Sequence, residues 1–242
     1  MKANQAVAIV TDKVLLVPYE AHHVPLYHAW MQDAAIRDAT ASEPLTLQQE
    51  YENQQSWRAS HDKLTFIVCE PLLRGDDEAV VVRAGRADAE GRARGDVNVF
   101  VHRDGARLTG EIDVMIAEAA HRGQGCGRAA VQALLVYLWR NWGTLRAEYA
   151  AGEEGRSAPG RGPAGAGMEA EMEMAGLMAK IQQANGASRA LFRHLGFAQV
   201  GEADYFGEVT VAVAWDQVGR LVEGWLDSAS ASLYREAEYM RQ

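Results

Sequence analysis

The chain has 242 residues, 48% of them hydrophobic, with a formal net charge of −9. That composition suits a soluble globular protein of one or two domains, and the acidic balance argues against a nucleic-acid or anionic-membrane surface while favouring cationic partners such as amines. Two cysteines, Cys69 and Cys126, make neither a disulfide framework nor a zinc site, which fits a reducing, cytoplasmic compartment.

The apolar run Ala6 to Val10 is stopped by Thr11 and Asp12, too short and polar-flanked for a signal peptide. No stretch approaches the ~20 apolar residues that span a bilayer. KVLLVPY (13–19) reads as a strand ending at proline. Val24, Tyr27, Trp30 and Met31 fall at helical spacing, and Thr46 with Gln49 makes a capping box that starts a second helix. LTFIVCE (64–70) is β-branched and aromatic, hence a strand. Residues 73–94 are rich in Arg, Gly, Asp and Glu and read as a long exposed connection with one apolar patch, Val80 to Val82.

DVNVFVH (96–102) alternates as a strand does, and GEIDVMIA (110–117) is another strand. After a glycine-rich stretch, Val131, Leu134, Leu135, Leu138 and Trp142 form one helical stripe. Residues 150–176 are Gly, Ala, Glu and Pro, too poor in apolar surface to offset the entropy of ordering. They read as a disordered insertion, with MEAEMEMA as a candidate short helix. LMAKIQQ (177–183) resumes as a strand, ASRALFRHLGF as a helix ended by Gly196, and VTVAVAW (209–215) as a strand with Val209, Val211, Val213 and Trp215 on one side. The tail after Asp216 is amphipathic and weakly helical. This order describes one mixed α/β domain.

The stretch HRGQGCGRAA (121–130) sets Gly123, Gly125 and Gly127 at alternate positions just before a helix. The first amides of a helix lack intrahelical acceptors and carry the positive end of its dipole. Glycines let a phosphate approach them, and Arg122 and Arg128 would add charge-assisted contacts. A P-loop is excluded by the missing Lys-Ser/Thr pair. Gly125, Gly127 and Ala130 spell G-x-G-x-x-A, with Glu148 at a plausible distance for a ribose. However, the five residues Glu118 to Arg122 separate the strand end from Gly123, unlike a dinucleotide fold. A glycine-rich turn without a ligand is the plain alternative.

Arg122-Gly-Gln-Gly-Cys-Gly127 is R-x-x-G-x-G between a strand and a helix. It resembles the acetyl-CoA signature of the GNAT N-acetyltransferase superfamily. Asn185 to Phe197 resembles that superfamily's second cofactor motif, N-x-x-[SA]-x-x-[LF]-[YF]-x-x-x-G-F. TASEPLTLQQEY (40–51), LTFIVCE, GDVNVF (95–100) and GEIDVMIAE (110–118) look like the N-acetyltransferase 9 family. The resemblance implies a GNAT fold, a single mixed and mostly antiparallel sheet flanked by helices, over 13–215 with insertions at 73–94 and 150–176, then a tail at 216–242. It also implies acetyl-CoA as co-substrate, no metal, and a protein amine as acceptor, with the N-terminus of tubulin as the substrate proposed for the family. No residue of the chain itself shows that substrate, and the oligomeric state stays open.

Residue by residue, the resemblance places Met115, Ile116 and Ala117 along the cofactor's pantetheine arm, where a backbone N–H would act as an oxyanion donor. It places the amides of Arg122, Gly123, Gln124, Gly125, Cys126, Gly127 and Arg128 at the pyrophosphate. Asn185 and Ser188 are further cofactor contacts or simple helix caps. Glu111 stands eleven residues before Arg122, where relatives carry an acid that takes the amine proton. Asp113, two residues on, shares its strand face. Glu43 lies in the loop lining the acceptor site. Phe192 occupies a position where relatives often carry a Tyr acid, and it cannot donate a proton; Tyr205 is a conceivable substitute. The alternatives are a GNAT-fold binding protein associated with microtubules, which Phe192 favours, and a small-amine acetyltransferase. His22, His23 and His28 show no metal-ligand context.

Overall fold

Apolar runs and alternating segments pair into a ten-stranded sheet in the computed structural model, which describes residues 1–40, 42–72, 81–156, 172–227 and 234–241. In chain order come β1 (Val7–Val10), β2 (Leu15–Pro18), α1 (Val24–Trp30), α2 (Ala34–Thr40), α3 (Leu47–Ala59), β3 (Lys63–Cys69), β4 (Val81–Arg83), β5 (Ala93–Asp104) and β6 (Arg107–Ile116). They are followed by α4 (Cys126–Arg156), β7 (Glu173–Gln182), α5 (Gly186–His194), β8 (Ala198–Val200), β9 (Glu208–Ala214), α6 (Trp215–Asp227) and β10 (Arg235–Met240). The strand order is β4-β10-β1-β2-β3-β5-β6-β7-β9-β8. Among the described strands, only the β10–β4 and β6–β7 pairs are parallel.

Two hydrophobic layers cover the sheet. On one face Val97, Val99, Val101 and Ile112 pack beneath Val131, Leu134, Leu135 and Leu138 of α4, with Phe192 of α5 and Val218 and Val222 of α6. On the other, Ile67, Cys69, Met115 and Ala117 meet Val24, Tyr27 and Trp30 of α1. The predicted capping box forms: Thr46 and Gln49 satisfy each other's amides at the start of α3.

Several expectations change. Of the connection 73–94, residues 73–80 lie outside the described residues. The rest is only partly exposed: β4 joins the sheet, and Val82, Ala84, Asp88 and Ala93 are buried, while Arg83, Gly85, Arg86, Glu90 and Gly91 face solvent. A Gly/Arg-rich composition hid a strand of only three residues whose partner lies at the far end of the chain. The insertion 150–176 also shrinks. Residues 150–156 prolong α4, residues 173–176 open β7, and Ala150, Met172 and Met174 are buried. The segment MEAEMEMA therefore ends in a strand rather than a helix, and 157–171 lie outside the described residues. Trp215 leaves the β9 alternation and starts α6, its ring tilted against Trp139 and Trp142 at 5.2 and 5.6 Å. The tail is helix α6 plus strand β10, which pairs antiparallel with β1, so the sheet extends past both Lys13 and Trp215.

Candidate active site

The sheet opens where the glycine motif needs room. β6 pairs with β7 from Arg107 to Glu111, and the last rung is Glu111 with Met178. Beyond it β6 follows β5 as far as Ile116, while β7 follows β9 as far as Gln182. The strands diverge after Glu111. Among the described residues, no strand pairs with that side of β6 from Ile112 to Ile116. Ala117 N–H donates to Arg94 O at 2.9 Å. Antiparallel ladders alternate, so the Met115 amide also faces β5, whereas Val114 and Ile116 turn their amides to the gap. Of the three residues expected along the cofactor arm, Ile116 has the amide in place to act as a donor there.

The glycine loop follows. Gly123 and Gly125 have φ of +72° and +86°, and a Cβ on either would meet nothing within 4 Å. Their bareness serves the backbone turn and leaves open space above it. Gly127 differs: a Cβ there would lie 3.2 Å from Leu191 and 3.6 Å from Ile116, so this glycine lets α4 pack on α5 and β6. Ala129 N–H donates to Gly125 O, which leaves the amides up to Arg128 at the helix's open end. Arg122 turns inward. Its Nε donates to Ile116 O at 2.8 Å and one terminal nitrogen to Ala117 O at 2.7 Å, pinning the loop to the strand end. Gln124 does likewise, donating to Ala120 O at 2.5 Å. Cys126 is half-buried, and Arg128 is exposed beside it. Asn185 caps α5, its side chain accepting from Ser188 N–H at 3.1 Å.

Glu111, Asp113 and Met115 point to the α1–α3 face. Glu111 accepts from Lys180 Nζ at 3.2 Å and from His102 Nε2 at 3.1 Å. Asp113 sits two residues past the point of divergence. Its carboxyl is pushed up, first by burial and then by the charge of Glu111. The group is open to the cleft yet flanked by enough protein to be poorly solvated. Phe192 is buried in the α4-side core, edge-on to Phe197 at 5.1 Å. Tyr205 is 96% exposed on the β8–β9 hairpin, in contact with Phe206.

Beside these lies a polar patch that single-sequence reasoning missed. Asp96 pairs in register with Met115, Asn98 with Asp113, and Phe100 with Glu111; Lys63 and Thr65 stand opposite on β3. Asn98 Nδ2 donates to Asp96 Oδ2 at 2.8 Å, and Tyr27 OH donates to it at 3.3 Å. Burial pushes Asp96 up to about 6. Lys63 Nζ lies 2.7 Å from the Trp57 ring centre, and burial pushes it down to about 7. The signal was present: polar residues at alternate positions of DVNVF, the positions facing away from the valines.

Above the patch a cavity of about 180 Å³ opens between α1, α3 and the loop joining α2 to α3, lined by Tyr27, Glu43, Glu50, Asn53 and Trp57 among others. Glu43 stands exposed at its rim. The remaining histidine pair does gain an acid. His22 and His23 lie 3.1 and 3.2 Å from Asp88 Oδ2, close enough together to suggest a metal site. But His23 Nδ1 accepts from Glu20 N–H, so its Nε2 carries the proton of the neutral ring and donates to Asp88 rather than ligating a cation.

Comparison with known proteins agrees with this geometry. Residues 13–198 match the family described as acetyltransferase (GNAT) domain. The chain is 38% identical over 212 residues to the human alpha/beta-tubulin-N-acetyltransferase 9, covering 87% of this chain and 84% of that protein. It is 35% identical to the Drosophila melanogaster protein of the same name, covering 87% and 88%. It is also 35% identical to an N-acetyltransferase 9-like protein of Nematostella vectensis, covering 87% of each. Among solved structures, spermidine N-acetyltransferase from Vibrio cholerae in complex with CoA and spermine has a TM-score of 0.58 at 12% identity, covering 85% of this chain and 98% of that one. A ribosomal L7/L12 alpha-N-protein acetyltransferase in complex with coenzyme A has a TM-score of 0.56 at 15% identity, covering 86% and 97%. A sheet that parts beside a glycine-rich helix start, in a sequence this similar over most of its length, makes the chain a member of the GNAT family of N-acetyltransferases, within its N-acetyltransferase 9-like branch.

Proposed function

We propose that this enzyme transfers an acetyl group from acetyl-CoA to the N-terminal amine of a cytoplasmic protein, directly within a ternary complex, and that tubulin is the acceptor. The observation that carries the reading is the gap after Glu111, which joins the open amides of the glycine loop to an acid-lined face. The tubulin assignment is supported by the names of relatives at 35–38% identity.

Acetyl-CoA supplies a thioester carbonyl and a thiol leaving group. The chain's part is positional and electrostatic. The amides of Gly123 to Arg128 hold the pyrophosphate, with Arg122 keeping the loop in place through Ile116 and Ala117. The Ile116 N–H polarises the carbonyl. Asp113 takes the proton of the attacking amine. Glu111 is already engaged by Lys180 and His102 and positions β6 against β7. A terminal α-amine of pKa ~7.7–8.0 is already partly neutral at pH 7, whereas a lysine of ~10.4 is not, so a modest base suffices. With Phe192 in the core, the thiolate departs unaided, as a thiol of pKa ~8.5 tolerates.

The test is acetyl transfer to peptides carrying the N-termini of α- and β-tubulin, set against lysine peptides and spermidine. Transfer to the terminal amine is expected, and Gly125→Val should weaken acetyl-CoA binding in calorimetry while the protein stays folded. Transfer to spermidine alone would favour the small-amine reading. Tight cofactor binding with no transfer would favour the binding-protein reading, which the buried Phe192 supports.

A further inference from the structure

The cavity between α1, α3 and the α2–α3 loop is built to neutralise a cation. Its floor is the carboxylate of Glu50, a residue 2% exposed. The side chain accepts a hydrogen bond from Asn53, and among the described residues the half-buried His28 imidazole is the only group whose charge favours its ionised form; no lysine or arginine among them pairs with it. The exposed carboxylate of Glu43 stands at the rim. Tyr27 and Trp57 wall the space and are themselves fixed. Tyr27 is held by its bond to Asp96 and Trp57 by the Lys63 ammonium on its ring, and the two rings meet edge-on at 6.1 Å. A buried carboxylate offset only by a neighbouring imidazole is costly. Burial accordingly pushes the Glu50 carboxyl up. A guanidinium or ammonium entering the cavity would remove that cost, aided by the aromatic walls.

Position gives the cavity its role. Tyr27 connects it to Asp96, the register partner of Met115, and Trp57 connects it through Lys63 to Phe100, the register partner of Glu111. It therefore stands over the stretch of sheet where the strands part. With room of about 180 Å³, it accepts a single side chain.

We infer that this cavity is a specificity pocket that binds a positively charged side chain, arginine or lysine, within the first few residues of the acceptor polypeptide, with Glu50 as the recognising group. The inference rests on the proposed transfer to a protein N-terminus, and it adds to that reading a preference for the residues that follow the acetylated amine.

The experiment compares short peptides with a free N-terminus and arginine, norleucine or glutamate at the second or third position. Both turnover and binding in the presence of coenzyme A are measured, the latter by calorimetry. Wild type is expected to prefer arginine over norleucine by roughly ten- to a hundredfold, the size of a charge-assisted hydrogen bond, and to bind the glutamate peptide least. Glu50→Gln keeps the shape and should erase that preference while leaving norleucine peptides unchanged. Leu45→Arg, on the half-buried rim, provides a tethered guanidinium and should erase it too, independently of any folding defect at Glu50. Equal binding of arginine and norleucine by wild type, or a preference untouched by both variants, overturns the pocket. Charge-selective, Glu50-dependent binding without acetyl transfer upholds the pocket and sinks the transfer reading instead.

Discussion

Asp113 and Glu111 show how two like residues on one strand face are separated by their neighbours. Glu111 lies on the last rung of the β6–β7 ladder and is held by Lys180 and His102. Asp113 lies two residues on, where burial and the Glu111 charge push its carboxyl up. A base gains from a raised proton affinity and an open path to the amine, and Asp113, proposed as that base, has its raised carboxyl beside the gap. Asp113→Asn should lower kcat/KM by about 10²–10⁴. The base works deprotonated, so the acid limb of the pH profile, where rate falls as pH drops through the raised carboxyl pKa, should vanish in that variant. Glu111→Gln should keep that limb and lose less. If Asp113→Asn matches wild type at every pH while Glu111→Gln does not, the roles are reversed. The sequence pointed to Glu111 by its distance from Arg122; only the register shows which carboxylate stands past the fork.

At the scale of elements, α4 runs 31 residues from Cys126 to Arg156 and ends in a segment whose composition reads as linker. Its glycines have unlike reasons to be there. A Cβ on Gly152 would fall 2.1 Å from the His61 ring, against 4 Å of free space at Gly143. His61 in turn pairs with Glu153 at 2.9 Å, so the last turns of α4 dock on the approach to β3. Gly→Ala within an exposed helix gains ~1 kcal/mol from propensity, whereas overpacking a docked turn costs about 1–3 kcal/mol. Gly143→Ala should therefore raise the melting temperature by a few degrees and Gly152→Ala should lower it. Two upward shifts in calorimetry would mean that the last turns are free of β3. Composition alone treats these glycines alike; packing tells them apart.

For the whole molecule, Asp88 ties the chain's distant parts together. Its Oδ2 accepts from His22, His23 and Tyr239, the last at 2.6 Å, and its Oδ1 accepts from Gly85 N–H at 2.6 Å. One buried carboxylate thus joins the start of α1, the turn after β4 and the C-terminal strand β10. Burial alone would push Asp88 up; the three side-chain hydrogen bonds outweigh it and hold the carboxyl well below the usual range. Burial also pushes His23 down, against the opposing pull of Asp88. Both signs point the same way. His23 is protonated more readily in the unfolded chain, so stability falls as pH drops below the ordinary value of ~6.5. Asp88 contributes above its ordinary value of ~3.9, and that contribution is lost as pH falls further. The melting temperature should decline in two stages on acidification. Asp88→Asn should lower it by roughly 10 °C at pH 7, from the cost of breaking a buried charged network, and should flatten the lower stage. A melting temperature in Asp88→Asn that tracks wild type throughout would remove Asp88 from this role.

Local pattern alone determined much of this protein. β-branched and aromatic content marked β3, alternation marked β5 and β9, helical spacing marked the stripe of α4, and the Thr46–Gln49 box marked the start of α3, because each of those signals lies within a few consecutive residues. The glycine motif was legible for the same reason: an open helix start is a local property of the backbone. Tertiary structure decided the rest. β4 and β10 are short strands that exist by pairing with each other and, through β10, with β1, contacts that no window of sequence contains. The patch of Lys63, Asp96 and Asn98, the Asp88 junction and the Glu50 cavity each draw residues from separate strands, helices and turns. Their altered proton affinities arise from burial and charge that only the folded chain brings together.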